Sequence, residues 1–218
     1  MFALMKSKRA ANYSFSEIVK NGISLIYTKL FWKKARLIRL PAYVRGKKSI
    51  EYQEGLTLGY RCRLECNGKI EKGKLKIGKN CVLGDNVQIE ANKSVTIGDN
   101  VLMASRVFIS DTSHGSYSGD NQDTPYFPPN MRELSFKNVV IGNNVWVGEN
   151  VSILPGVEIG DGSIISANSV VVKDVQAGCL CGGVPIKVLK QYDEKTGKWE
   201  RKKNDGAYEN IIFDSKVK

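Results

Sequence analysis

Aliphatic residues recur every six positions through most of this 218-residue chain. They are Leu58, Leu64 and Ile70, then Ile77, Leu83 and Ile89, then Ile97, Met103 and Ile109, and finally Ile141, Val147, Ile153, Ile159, Ile165 and Val171. The next residue is often glycine (Gly59, Gly78, Gly98, Gly142, Gly160), and the fourth is small or β-branched (Cys62, Cys81, Val87, Val101, Val145, Val157). A fixed short period means a solenoid, in which each repeat buries against its neighbours a side chain that it cannot bury alone. Six residues are too few for a helical repeat and suit one short strand plus a turn, with Gly-Asp-Asn and Gly-Asn-Asn supplying permissive turn backbone. Three such strands close a triangular coil, and coils stack at the strand spacing of about 4.8 Å. The phase breaks before Ile77 and Ile97 read as small insertions at corners.

The pattern stops once, over residues 111–138, in a segment rich in Ser, Gly, Asp, Asn and Pro. A loop of this length in a compact domain is usually functional or disordered. The aromatic residues of this one, with Arg132, predict a docked loop. At its start, in Ser110-Asp111-Thr112-Ser113-His114-Gly115, stands the only histidine of the chain. A lone histidine is commonly structural. This one leaves a rigid wall at the edge of a long loop, which is how scaffolds present acid-base groups.

Residues 1–50 hold twelve Lys and Arg against the single acid Glu17, so they carry the whole net charge of +11; the other 168 residues balance. This predicts a basic appendage on a neutral body, suited to a phosphate-rich membrane surface, nucleic acid or an anionic substrate. The membrane surface is the reading adopted here, without nucleic acid. Phe15, Ile18, Val19, Leu25, Ile26 and Leu30 fall near helical spacing, with Ser14 or Ser16 as cap, predicting an amphipathic helix. Lys20 and Lys29 interrupt any run long enough to span a bilayer, and no signal-peptide core is present. Five cysteines, an odd count without an export signal, predict reduced thiols in a cytosol. Cys62, Cys66 and one histidine are too few ligands for a zinc site, so no metal is expected. The organisation expected is a basic segment over residues 1–50, a β-helical domain over 51–189 and a polar C-terminal appendage over 190–218, helical in part.

The motifs narrow this further. Ile109-Ser110-Asp111-Thr112-Ser113-His114-Gly115, Val140-Ile141-Gly142-Asn143-Asn144-Val145-Trp146-Val147-Gly148-Glu149-Asn150, Ile153-Leu154-Pro155-Gly156-Val157 and Gly183-Val184-Pro185 resemble the hexapeptide-repeat sugar O-acetyltransferases. Within them the chain is most similar to the lipopolysaccharide O-antigen O-acetyltransferases, and the approach Ala35-Arg36-Leu37-Ile38-Arg39-Leu40-Pro41 extends the likeness. The resemblance implies an all-β, left-handed parallel β-helix, against the usual right-handed crossover, working as a homotrimer with acetyl-CoA as donor.

It also implies roles. His114 is the general base on the acceptor hydroxyl, and Asp111 either orients its ring or caps the turn. Trp146, Glu149, Ala167, Val172 and Lys173 fall at coenzyme-binding positions, and Lys187 and Lys190 where relatives place phosphate-contacting cations. Asn92 falls at a family acceptor position, and the nearby Asn86 and the loop residues Tyr117 and Arg132 are added as acceptor-binding candidates of this chain. Gly84 and Asn92 replace the Asn and Asp with which galactoside acetyltransferases hold their acceptor, so that specificity does not carry over. Thr112 stands where O-antigen relatives often carry a second histidine. The expected reaction is O-acetylation of a surface polysaccharide or its precursor in the cytoplasm or at the inner membrane face. The alternatives are N-acetylation of a nucleotide-linked amino sugar and a non-catalytic β-helical scaffold. A β-helical carbonic anhydrase is disfavoured, because one histidine per chain does not supply a three-His zinc site.

Overall fold

The computed structural model describes residues 13–201 and forms a left-handed parallel β-helix. Each coil lays one short strand on each of three faces. The first face runs through Leu37–Ile38, Thr57–Leu58, Val82–Leu83, Leu102–Met103, Trp146–Val147, Ile164–Ile165 and Cys179–Gly182. On the second are Tyr43–Arg45, Arg63–Glu65, Gln88–Glu90, Phe108–Ser110, Ser152–Ile153 and Val170–Val171. The third holds Ile50–Tyr52, Leu75–Ile77, Val95–Ile97, Val139–Ile141 and Glu158–Ile159, continued by a bridge to Val175.

Register explains the six-residue period. Leu58, Leu83, Met103, Val147, Ile165 and Cys181 pair in one column, and Leu64, Ile89, Ile109, Ile153 and Val171 in a second. Ile77, Ile97, Ile141 and Ile159 form the third. All of these side chains are buried. Each buried aliphatic contributes roughly 1.5–3 kcal/mol, so the columns are the principal source of stability. Ile70 is the exception: it sits exposed in an insertion, and Leu75 and Ile77 take the third face of its coil instead. The glycines that follow the columns stack so closely that a Cβ on Gly98 would lie 2.7 Å from the Gly142 carbonyl carbon.

The turn residues have an equally local cause. Asn80, Asn86, Asn100, Asn144, Asn150 and Asn168 all hold φ between 56° and 59°, the left-handed conformation that asparagine tolerates better than other residues with a Cβ. Their amides form ladders, with Asn80 Nδ2 donating to Asn100 Oδ1 (3.3 Å) and Asn100 Nδ2 to Asn144 Oδ1 (3.2 Å).

Both expected boundaries fall inside strands. Ile50–Tyr52 crosses the 50/51 boundary, and Ile38 and Val44 extend the six-residue period upstream, hidden among Arg36, Arg39 and Arg45. At the other end Lys187–Asp193 crosses 189/190. It pairs antiparallel with Cys179–Gly182 and with Lys198–Arg201. Residues 190–201 are therefore strand and turn, not helix, because this hairpin covers the free edge of the first face. Residues 1–12 and 202–218 of the expected appendages lie outside the described residues.

Helix α1, Phe15–Phe31, matches the expected amphipathic segment. Ser14 caps it in a reciprocal capping box with Glu17, whose carboxyl is held below its usual range by the Ser14 backbone and hydroxyl. Its buried residues are Ser24 and Thr28: Ser24 Oγ accepts from Leu40 N (3.2 Å) and Thr28 Oγ1 from Ile38 N (2.8 Å). The helix thus joins the first coil by its polar side.

Candidate functional site

The three corners of the coil differ. The corner from third to first face is built of tight Gly-x-Asn turns, whereas the corner from second to third face carries every sizeable insertion, over residues 46–49, 66–74, 91–94 and 111–138. The excursion leaves that corner as a two-stranded arm. Strand β1, Thr112–His114, pairs antiparallel with β2, Leu134–Phe136, with Ser113 opposite Ser135 and His114 opposite Leu134. His114 is exposed, and its imidazole makes no hydrogen bond among the described residues. A base must be uncommitted and reachable to take a substrate proton, and this arrangement meets both demands.

Asp111 lies at the root of the arm and is completely buried. Its Oδ1 accepts from Asn92 N (3.0 Å) and Thr112 Oγ1 (2.7 Å), and its Oδ2 from Lys93 N and Ser94 N (both 2.7 Å). Of its two expected roles, the structure supports the cap: among the described residues no hydrogen bond joins it to His114. The carboxylate is occupied by backbone donors of the preceding coil, so its buried charge is met by hydrogen bonds.

Asn92 is committed in the same way, which departs from the acceptor role expected for it. It donates to Glu90 Oε1 (3.0 Å) and Thr112 Oγ1 (2.8 Å) and accepts from Asn67 N (3.0 Å). Asn92, Asp111 and Thr112 therefore form one network that stitches two insertions together. Thr112 has a structural duty here, as the hydroxyl that links the carboxylate to the amide.

Tyr117 and Arg132 are likewise internal to the loop. Arg132 donates to the Phe127 carbonyl through Nε (3.0 Å) and Nη2 (2.7 Å) and to Tyr117 Oη through Nη1 (2.6 Å), while Tyr117 Oη donates to the His114 carbonyl. The loop is docked, as the aromatic residues predict, but by an arginine clamp on its own carbonyls. Asp123 Oδ2 completes it by accepting from Ser116 N (2.8 Å). Asn86 holds a left-handed turn at the first corner, in the column of Arg61, Arg106, Asn150 and Asn168.

The expected coenzyme positions divide between corners. Glu149 and Ala167 are exposed at the first corner, from first to second face, with Trp146 half-exposed on the first face. Val172 and Lys173 are exposed at the second corner, the one that bears His114, on the last coils. Lys187 and Lys190 lie on the hairpin strand β3, Lys187–Asp193. The sequence reading missed a partner of Glu149: Arg106 Nη2 lies 2.6 Å from its Oε1. The only available signal was an arginine in a turn column otherwise rich in asparagine. The corners stand at opposite edges of the second face, so one chain does not gather these residues around His114. A cleft of about 670 Å³ lies elsewhere, at the third corner between Asp161, Gln191, Tyr192 and Trp199.

All five cysteines are buried. Cys62 Sγ donates to the Gly84 carbonyl (3.1 Å) and Cys81 Sγ to that of Gly98 (3.1 Å). Burial pushes the Cys62 and Cys66 thiols up to about 11, away from the thiolate that binds metals. Among the described residues no group of three metal-ligating side chains converges.

Comparison with known proteins agrees with this architecture. Residues 138–173 match the bacterial transferase hexapeptide family (six repeats), and residues 74–110 match the hexapeptide repeat of succinyl-transferase. The chain is 39% identical over 195 residues to a protein of Escherichia coli (strain K12) provisionally named as lipopolysaccharide biosynthesis O-acetyl transferase WbbJ, covering 89% of this chain and 98% of that one. It is 34% identical over 158 residues to galactoside O-acetyltransferase of Escherichia coli (strain K12), covering 71% and 73%. Among solved structures, a mutant of the N-acyltransferase AntD from Bacillus cereus, in complex with dTDP-4-amino-4,6-dideoxyglucose and coenzyme A, superposes with a TM-score of 0.62 at 19% identity, covering 78% of this chain and 91% of that one. That likeness extends to the fold. The near full-length identity at 39%, together with the repeats, establishes that the chain belongs to the hexapeptide-repeat sugar O-acetyltransferase family.

Proposed function

We propose that the protein transfers an acetyl group from acetyl-CoA to a hydroxyl of a surface-polysaccharide sugar, O-antigen or capsule, or of its precursor. The observation that carries the reading is the exposed, uncommitted imidazole of His114 on an arm rooted in the wall by Asp111. Its ring takes the hydroxyl proton as the oxygen attacks the thioester carbonyl. The tetrahedral intermediate collapses with loss of the coenzyme thiolate, which regains the proton from the imidazolium. A backbone N–H of the wall would serve as the oxyanion donor. Asp111 acts as a positioning residue, since it fixes Thr112 and so the strand that ends at His114.

The division of Glu149 and Ala167 from His114 and Lys173 between two corners supports a homotrimer. In such an assembly the first corner of one copy faces the second corner of the next, and the coenzyme lies in the groove with Trp146, Val172, Lys187 and Lys190 along it. Lysines there hold phosphate as point charges, without the bidentate grip of arginine. A cytoplasmic location is proposed, where acetyl-CoA and lipid-linked precursors meet.

Transfer to an amine is not favoured, because the relatives at 39% and 34% identity are named for oxygen acceptors, while the N-acyltransferase shares only the fold. The family sets the non-catalytic scaffold aside. The test is a screen for coenzyme A release with purified glycan precursors, using wild type and His114→Ala. Activity that depends on His114, with a product acetyl removed by mild alkali, is expected. An alkali-stable amide product, or no turnover with any glycan acceptor, overturns the reading.

A further inference from the structure

Helix α1 is docked inside out. At about 100° per residue, Phe15, Val19, Ile23, Ile26 and Leu30 share the side opposite Ser24 and Thr28. Ser24 and Thr28 are buried against the first coil, whereas those five, with Ile18, are 46 to 82% exposed. An amphipathic helix normally buries its apolar face in the core. Here the hydroxyls of Ser24 and Thr28, with the half-buried Tyr27, hold the helix, and most of its hydrocarbon faces outward. A cleft of about 480 Å³ lined by Lys20, Ile23, Leu40, Pro41 and Ala42 carries the apolar surface onto the body. A contiguous patch of this kind marks an interaction surface.

Charge selects the partner. Lys20 and Lys29 lie on α1, Lys33 and Lys34 follow it directly, and residues 1–50 hold twelve cations against one acid. Packing this face against a second copy would bring two such segments together. We infer that α1 is an in-plane membrane anchor, which lays its outward apolar face into the interfacial region of an anionic bilayer while the neighbouring lysines meet lipid phosphates. No helix among the described residues is long and apolar enough to cross a membrane. A helix with a large apolar face and flanking cations lies in the interface instead. The inference stands apart from the acetyl-transfer reading.

The full-length protein is sedimented with vesicles of phosphatidylcholine alone and of phosphatidylcholine with one quarter phosphatidylglycerol, at low and high salt. Wild type is expected to bind the anionic vesicles at least about tenfold more tightly, and more weakly as salt rises. Ile26→Glu/Leu30→Glu is expected to lower that binding at least about tenfold. Lys29→Gln/Lys33→Gln/Lys34→Gln is expected to weaken it and flatten its salt dependence. Circular dichroism and thermal melting verify the fold, and Ile26→Gln/Leu30→Gln replaces the first pair should it misfold. Absence of wild-type binding, or wild-type binding by the apolar-face variants, overturns the inference. So does loss of oligomer on mutating the face without vesicle binding, which assigns it to a second copy.

Discussion

The third and second corners of the coil stack on the same three columns, yet one is built for repetition and the other for departure. At the third corner, Gly78, Gly98, Gly142 and Gly160 approach the next coil too closely for a side chain, and Asn80, Asn100 and Asn144 ladder through their amides. The turns there repeat from coil to coil with no excursion between them. At the second corner four insertions escape the stack, and one buried carboxylate, Asp111, gathers the backbone donors of the 91–94 insertion beside the arm. The difference teaches how a solenoid acquires chemistry. The repeat supplies rigidity, and the proposed site lies where a side-chain network replaces the repeat as the source of order.

His114→Ala gives the sharpest test of that division. The side chain is exposed and makes no hydrogen bond among the described residues, so its loss should leave the melting temperature within about 2 °C. Turnover with a verified acceptor should fall by the roughly 10²- to 10⁴-fold that general-base catalysis supplies. Persistence within about tenfold would remove His114 as the base. Asp111→Ala should act in the opposite sense. Three backbone N–H groups would lose a charged acceptor, and such bonds contribute about 1.5–3 kcal/mol each, so a destabilisation of at least about 3 kcal/mol is expected by urea unfolding. A nearly neutral Asp111→Ala would mean that the second corner does not depend on the carboxylate. Gly98→Ala probes the other corner. Its Cβ would meet the Gly142 carbonyl at 2.7–2.8 Å, and overpacking of about 1–3 kcal/mol should lower the melting temperature by roughly 3–10 °C without a specific effect on catalysis.

What was legible follows the same line. The columns could be read because a six-residue period repeats one burial environment many times, and only Ile70 misled, its spacing being preserved by chance inside an insertion. His114 was legible from its position at the break. The fates of Asp111, Asn92 and Arg132 were not, since a polar residue in a loop has the same signature whether it meets a ligand or a backbone amide. The outward face of α1 was hidden for a related reason. Helical spacing defines an apolar side but not its direction, which here was decided by Ser24 and Thr28. The hairpin over residues 187–201 lay outside the six-residue pattern, and its strands are specified by the open edge they cover.

The smallest effect expected separates the corners by their motion. Cys62 sits at the first corner, whose tight turns stack like those of the third, and Cys66 at the start of an insertion at the second. Burial raises both thiols to about 11 from an ordinary 9.0. Between about pH 9 and pH 11 the unfolded chain releases these protons while the folded one keeps them. The unfolded state then binds fewer protons, so stability should fall as pH rises through that window, and Cys62→Ala or Cys66→Ala should each lessen the fall. At pH 8 both thiols are protonated in the folded protein, so modification by a thiol reagent requires local opening. Cys66 should then react faster than Cys62, because the insertion beside it opens without unstacking the coil. Equal rates would mean that the insertions move only with the wall, and that the second corner is as rigid as the repeat it interrupts.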